Sequence, residues 1–297
     1  MPAHPLRVLA LSALVSLALG HALGARVQTA VDKTIFLSVL DEGGKAVTDI
    51  KLGEVLIRED GVDREVVSVS PATQPLYVAV LLDTTGAAEP YIRDIRSSLA
   101  SFARQVRAAS PDARISVTEF GQAAVPIVPF TTDAEKLEKD ISRIYPKRDA
   151  PSVLLEALVD ASNSLAKQNS PRRAIVVFNM EGTLERSREE PAKIQEAIRR
   201  AGAQLWVVSL QKGQSRPETS SQRDFVLNAL TKATGGKREF VVAESAIEQY
   251  MKAYADTLTS QYAVTYKRPS SDRPKVVQTG LARSAPLELH ACLFAPR

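Results

Sequence analysis

The residues of this sequence best suited to a binding site follow a long apolar stretch. Residues 76–82 are apolar without interruption, and Asp83, Thr84 and Thr85 come directly after them. Such a run is typical of a strand that is buried on both faces of a parallel sheet. The carboxylate of Asp83 would then lie at the carboxyl edge of the sheet, where open α/β folds bind ligands. The alternative is that Asp83 only caps the turn that follows.

Histidine usage argues against several classes of enzyme. The chain has three histidines, and because His4 and His21 lie in the N-terminal segment, His290 is the one that remains. A Ser-His-Asp or Cys-His catalytic site would depend on this single side chain, and a site with several His ligands is excluded. No nucleophile elbow, P-loop or H-E-x-x-H motif stands at a predicted strand–helix junction. We therefore expect a non-enzymatic protein, with a hydrolase on a similar α/β sheet as the less favoured alternative.

The first residues have the pattern of a secretory signal peptide over residues 1–24. Arg7 precedes an apolar core at residues 8–19, and residues 22–24 form a cleavage site. This core is too short to span a bilayer. We therefore expect an exported protein, periplasmic or secreted, without a stable membrane span.

Charge content bears on nucleic acid binding, and cysteine content bears on disulfide bonds. Lys and Arg together number 38 against 34 Asp and Glu, and the basic residues form no stripe interleaved with aromatic residues. The sequence therefore does not predict nucleic acid binding. Cys292 is the one cysteine, so it cannot form an internal disulfide.

Predicted strands and helices alternate from residue 76 onward. Strands are predicted at residues 76–82, 114–120, 125–130, 174–178, 205–210 and 239–242. Helices are predicted at residues 90–109, 133–144, 152–167, 225–233 and 246–259, with another ending at Arg200. This order predicts an α/β fold with a doubly wound, mostly parallel six-stranded sheet over residues 75–260. Pro126 and Pro129 place the strand at residues 125–130 on an edge of the sheet.

Residues 30–72 are predicted to form a small accessory β unit resembling a sandwich. Within it, a Glu59-Asp60-Gly61 turn predicts a hairpin between residues 55–57 and 66–69. Because a few short strands are marginally stable alone, this unit needs further strands to pack with.

The C-terminal residues 261–297 are predicted to supply those strands. Residues 261–267 alternate as a strand, and residues 275–279 can return as its hairpin partner.

Several of these segments, in this order, resemble a known family. They are residues 37–50 (LSVLDEGGKAVTDI), residues 55–61 (VLIREDG), the strand that ends in Asp83-Thr84-Thr85, the Thr234-Gly-Gly236 tripeptide and residues 260–266 (SQYAVTY). Together they are similar to exported bacterial proteins with a von Willebrand factor A-related domain. The resemblance implies an A-type domain, which binds partners through a metal-ion-dependent adhesion site.

The resemblance also implies where that site would lie. The family motif is Asp-x-Ser-x-Ser after the first strand, a Thr from a later loop and an Asp after the fourth strand, because Mg²⁺ requires hard oxygen ligands. The matching positions with a carboxylate or hydroxyl are Asp83, Thr85 and Ser152, and those without one are Ala87 and Met180. The resemblance therefore implies a degenerate site.

Two interpretations of the degenerate site follow. In the first, no cofactor is expected, and Asp83 is a structural carboxylate that accepts hydrogen bonds from the hydroxyls of Thr85 and Ser152 and from backbone N–H groups of the turn. In the second, Glu181, one residue beyond Met180, replaces the missing Asp, and Mg²⁺ binds to Asp83, Thr85, Ser152 and Glu181.

The resemblance implies a protein-interaction module whose partner is another exported or cell-surface protein. The loops at the carboxyl edge would make the contact, with Thr84, Gly86, Asp149, Asn179 and Gly182 as the candidate contact residues. An alternative from another class is a structural module whose β segments pair with a sheet edge of the partner.

Overall fold

The computed structural model describes residues 29–211 and 221–297, so the predicted signal peptide lies outside the described residues. The strands are β1 (Ala30–Leu40), β2 (Val55–Glu59), β3 (Val62–Arg64), β4 (Val66–Pro71), β5 (Tyr77–Asp83), β6 (Arg114–Phe120), β7 (Ala124–Thr131), β8 (Arg173–Met180), β9 (Ala203–Leu210), β10 (Arg238–Val241), β11 (Tyr262–Pro269), β12 (Val277–Leu281) and β13 (Glu288–Ala291). The helices are α1 (Ile92–Ala109), α2 (Ala134–Ile141), α3 (Leu154–Ala166), α4 (Pro191–Ala201), α5 (Ser221–Ala233) and α6 (Ala246–Thr259).

The largest sheet in the described part of the chain has six strands, in the order β10-β9-β8-β5-β6-β7. β5 lies inside it and pairs in parallel with β8 and β6. β7 pairs antiparallel with β6 at one edge, with irregular register, and such an edge strand tolerates Pro126 and Pro129. The prediction of a doubly wound, mostly parallel α/β sheet is confirmed.

The two faces of β5 pack against different helices. Val78, Val80 and Leu82 belong to an apolar cluster with α1, α2 and α6. Ala79 and Leu81 belong to a second cluster with α3, α4 and α5. Because helices cover both faces, successive side chains are all buried, which is the physical reason for the uninterrupted apolar stretch.

Two smaller sheets form from the two ends of the described chain. Their orders are β13-β1-β11-β4 and β12-β2-β3. β11 lies between β1 and β4, and β12 extends the sheet of β2. Side chains from both sheets, including Leu37, Val264 and Val277, form a third apolar cluster. The C-terminal strands thus complete sheets that begin near the N-terminal end.

The predicted hairpin of residues 55–57 with residues 66–69 is wrong. Asp60 and Gly61 have φ values of 44° and 85°, as in the two-residue type I′ turn of a tight hairpin. The chain therefore returns at once, so that β2 pairs with β3. β4 belongs to the other small sheet and pairs with β11.

The predicted hairpin within the C-terminal residues is also wrong. β12 pairs with β2 instead of β11. The carboxylate of Asp60 accepts hydrogen bonds from the backbone N–H groups of Lys275 (3.1 Å) and Val276 (3.0 Å). These bonds hold the start of β12 beside the end of β2.

Buried ion pairs of Glu59 join the two small sheets. Glu59 ends β2 and is fully buried. Arg268 of β11 donates to it from Nε at 3.0 Å and from Nη2 at 2.5 Å, and Arg64 donates from Nε at 3.0 Å. The Tyr266 hydroxyl donates to the same carboxylate. A buried carboxylate is tolerated only with such partners, so this cluster ties both sheets into one unit.

The Thr234-Gly-Gly236 tripeptide packs against the central sheet and the small sheet. The hydroxyl of Thr234 accepts a hydrogen bond from the Leu205 N–H at 2.9 Å. A Cβ on Gly235 would lie 2.2 Å from the carbonyl oxygen of Ala291, and one on Gly236 would lie 1.8 Å from that of Leu205. Both contacts are with backbone, so they leave no room for a side chain.

We therefore expect Gly236→Ala to lower the free energy of unfolding by roughly 3 kcal/mol, the upper part of the range for overpacking. Urea unfolding followed by circular dichroism measures this change. Gly53→Ala is the matched control, because a Cβ there would meet nothing within 4 Å. Equal, small effects of the two substitutions would contradict the close packing of the tripeptide.

Candidate functional site

The carboxylate of Asp83 lies at the carboxyl end of β5 and is fully buried. Its Oδ1 accepts a hydrogen bond from the backbone N–H of Thr85 at 2.8 Å. Its Oδ2 accepts one from the backbone N–H of Met180, at the end of the neighbouring strand β8, at 3.2 Å. Both oxygens therefore face peptide donors.

Burial disfavours the ionised form of Asp83. Burial raises the pKa of Asp83 to about 6, and the backbone donors of Thr85 and Met180, with the positive charge of Arg223, partly offset this rise. The carboxylate is thus ionised at neutral pH and is the anionic centre of the sheet edge.

The Ser152 hydroxyl does not reach Asp83, so the prediction of that hydrogen bond is wrong. It donates to Oε2 of Glu185 at 3.2 Å, because Ser152 pairs with Glu185 in an isolated bridge ahead of α3. This pairing also explains why the helix predicted from residue 152 begins at Leu154. The buried Thr85 hydroxyl lies close enough to Asp83 to lower the pKa of that carboxyl, but its geometry falls short of a hydrogen bond.

The carboxylate of Glu181 is held by an arginine. Its Oε1 accepts from Nη2 of Arg238 at 2.6 Å and from Nδ2 of Asn179 at 2.7 Å. Arg238 also pairs with Asp224 at 2.6 Å, and its side chain is 3% exposed. Glu181 thus already has a cationic partner within the protein.

A second buried arginine, Arg223 of α5, lies at the same edge. Its Nη1 donates to the Thr183 hydroxyl at 2.6 Å and lies 4.0 Å from Oε2 of Glu185. Its charge also favours the ionised form of Asp83. The edge therefore contains two buried cations supplied by the chain itself.

Sequence reasoning missed Arg223, although one signal for it exists. Arg223 precedes Val226, Leu227 and Leu230 at spacings of three, four and seven residues, which places it on the buried stripe of α5. An arginine on such a stripe must find polar partners inside the protein.

The described residues do not fit a site for a divalent ion. Ala87 is exposed and has no ligand atom, and Met180 packs in the core. The oxygens of Asp83 face N–H donors, and Glu181 is paired with Arg238.

The candidate contact residues divide into two groups. Thr84 and Asn179 are fully buried, because the Thr84 hydroxyl donates to the Phe120 carbonyl at 3.3 Å and Asn179 donates to Ser209 at 3.2 Å. A partner cannot reach either side chain, so the expectation that they contact a partner is wrong. Their hydrogen bonds hold the loops in place instead. Gly86 is half-buried, and Asp149 and Gly182 are exposed.

Two clefts open between these loops. One of about 460 Å³ is lined by residues that include Thr85, Asp149, Thr183, Leu184 and Arg186. The other, of about 410 Å³, is lined by residues that include Ala87, Pro90, Tyr91, Met180 and Glu181. The edge thus offers concave surface on both sides of Ala87.

Comparisons with known proteins identify this architecture. No protein-family model matches the sequence, and no curated protein matches it. Among solved structures, a von Willebrand factor type A protein from Catenulispora acidiphila has 10% sequence identity and a TM-score of 0.50, with 91% of this chain and 75% of that chain covered. The chain therefore has a fold related to von Willebrand factor type A, as the resemblance implies.

Two further similar structures are those of a minor pilin and of a domain from a pilus tip protein. The PilB minor pilin from Streptococcus sanguinis has 11% identity and a TM-score of 0.47, and the match covers 64% of this chain and 63% of the pilin. The von Willebrand factor domain of the type V pilus tip protein Mfa5 from Porphyromonas gingivalis has 10% identity and a TM-score of 0.46, with 63% and 96% covered. The chain thus spans less than two thirds of the pilin's length.

Asp83→Ala is expected to lower the free energy of unfolding at pH 7 by about 1–3 kcal/mol, because it leaves the N–H groups of Thr85 and Met180 unpaired. The pKa of Asp83 in the folded protein is about 6, against the ordinary aspartate value of 3.8 that applies to the unfolded chain. Between these values the folded protein holds a proton that the unfolded chain has released, so the stability that Asp83 contributes rises as pH falls.

The loss caused by Asp83→Ala should therefore grow from pH 7 to pH 4, by up to roughly 3 kcal/mol. Urea unfolding of both proteins across this range measures the difference, and the exposed Asp112→Ala is the control. A loss that shrinks or stays constant on acidification would contradict the buried carboxylate.

Proposed function

We propose that this chain is a non-enzymatic interaction module that binds another exported or cell-surface protein without an obligatory divalent ion. The contact surface is formed by the loops at the carboxyl edge of the central sheet. The observation that carries the proposal is the internal satisfaction of Asp83, whose two oxygens accept peptide N–H groups. The anionic centre of the edge then needs no metal.

The surface above Asp83 has the features of a partner site. Leu184 is 46% exposed and lies at the cleft of about 460 Å³, where Asp149 and Arg186 add charges of opposite sign. An apolar contact flanked by charged groups provides both affinity and orientation.

The buried surroundings of His290 and Cys292 support a non-enzymatic function. His290 is buried beside Trp206, with ring centroids 5.0 Å apart, and burial lowers its pKa. Burial also raises the pKa of Cys292 to about 11, so its thiolate, the nucleophilic form, is scarce at neutral pH. Neither group forms a nucleophile–base pair within the described part of the chain.

Export remains part of the proposal, since it depends on the pattern of residues 1–24. In the described residues, none of the helices has the length and apolar character needed to cross a membrane. The proposed location is therefore the periplasm or the exterior, reached after removal of the signal peptide.

Site-specific cross-linking tests the proposal. A photoreactive amino acid is placed at Leu184, at the carboxyl edge, or at Leu56, which is 56% exposed on the three-stranded sheet. We expect a cross-linked partner from the exported fraction at position 184, with the same yield in EDTA, and none at position 56.

The two alternatives give different outcomes in the same experiment. Cross-linking from position 56 alone would favour pairing through the β segments. Loss of the cross-link at position 184 in EDTA would favour the Mg²⁺ site of Asp83, Thr85, Ser152 and Glu181.

A further inference from the structure

A cavity of about 280 Å³ lies at the opposite edge of the central sheet from the loops described above. Its apolar lining residues include Ile35, Phe36, Pro171, Phe294, Ala295 and Pro296. Its cationic lining residues are Arg172, Arg173, Arg199, Arg200 and Arg297. The cavity thus combines apolar walls with a concentration of guanidinium groups.

The positive charges of this cavity exceed the carboxylates that pair with them. Arg199 and Arg297 share one carboxylate, that of Glu196. Arg200 donates to the neutral side chain of Asn163. These contacts are the ones made within the described part of the chain, and they leave the rim of the cavity with a surplus of positive charge.

The two arginines at the start of β8 have neutral partners. Arg172 donates to Oε1 of Gln261 at 2.8 Å and to the carbonyl of Leu258 at 2.5 Å. Arg173 donates to the carbonyls of Ala201 at 2.7 Å and Gln168 at 2.6 Å. Within residues 29–211 and 221–297, neither guanidinium has a carboxylate partner in a salt bridge.

Burial makes these charges costly. It lowers the pKa of Arg172 to about 10 and also lowers the pKa of Arg173. The Nε of Arg173 is buried and has no hydrogen-bond partner in the described residues. A cation removed from water without a counter-charge destabilises the folded state, and an anion placed beside it recovers part of that cost.

We propose that this cavity binds a small oxyanion with a short apolar body. The oxyanion, a carboxylate or a phosphate monoester, pairs with the guanidinium groups, with Arg173 as the principal contact. The apolar body packs against the walls formed by Phe36 and Phe294. A volume of about 280 Å³ lies just below the usual range of ligand pockets, which suits a short chain of about eight carbons.

Cys292 provides a reporter in the unaltered protein, because it lines the cavity and is the one cysteine of the chain. The rate of its modification by a small thiol reagent is measured at alkaline pH, where more of the thiol is ionised, with and without octanoate, octyl phosphate, 1-octanol and inorganic phosphate. We expect one or both of the octyl anions to slow modification at least fivefold. The neutral alcohol and inorganic phosphate should change the rate less than twofold.

The same experiment identifies the preferred head group, since octanoate carries a carboxylate and octyl phosphate carries a phosphate. Equal protection by 1-octanol would overturn the proposal, because the cavity would then select apolar surface without charge. An unchanged rate with all four compounds would overturn it as well, and the arginines would then serve only to tie chain segments together.

Arg173→Met tests the charge directly, since it keeps most of the length of the side chain and removes the guanidinium. We expect calorimetry to give at least tenfold weaker binding of the protective anion. Arg143→Met is the matched control, because Arg143 is exposed and lies outside the cavity. This variant should bind the protective anion with unchanged affinity. Unchanged affinity in folded Arg173→Met would contradict the proposal; if that variant does not fold, Cys292 protection decides.

Discussion

The central constraint in this protein is the burial of one carboxylate at the end of its central strand. Asp83 is ionised at neutral pH although it is removed from water, so its oxygens must be paired. The partners are the peptide N–H groups of Thr85, in the turn after β5, and Met180, at the end of β8. The same hydrogen bonds that satisfy the charge therefore fix the positions of two loops at the sheet edge.

Two further carboxylates at this edge face arginines of the chain. Glu181 pairs with Arg238, and Glu185 lies 4.0 Å from Arg223. In a metal-dependent site, a divalent ion would neutralise such a concentration of negative charge. Here buried guanidinium groups face it, and because they are part of the fold, we propose that the edge is organised without an added cation. Under the proposed function, the composition of the loops above this edge, rather than an ion, selects the partner.

The sequence predicts the parts of this structure that depend on local patterns. The apolar stretch before Asp83 predicts the central strand, and two prolines predict the edge position of β7. The end of that strand also predicts the place of Asp83 at the carboxyl edge of the sheet, whereas the expected contact of Ser152 with Asp83 is replaced by one with Glu185. In contrast, Arg223 and Arg238 lie 38 and 57 residues from the carboxylates they face, and no local pattern specifies which distant side chains meet. The pairing of β12 with β2 was not predicted for the same reason. It depends on a hydrogen bond from the Val276 N–H to the carboxylate of Asp60, which lies 216 residues away in the sequence.

Calorimetric titration of the protein with Mg²⁺ and Mn²⁺ tests whether this edge of the sheet binds a divalent ion. Because both oxygens of Asp83 accept peptide N–H groups and Glu181 is paired with Arg238, we predict no saturable binding up to millimolar metal. A one-to-one site in the micromolar range, lost in both Asp83→Ala and Glu181→Ala, would contradict the account.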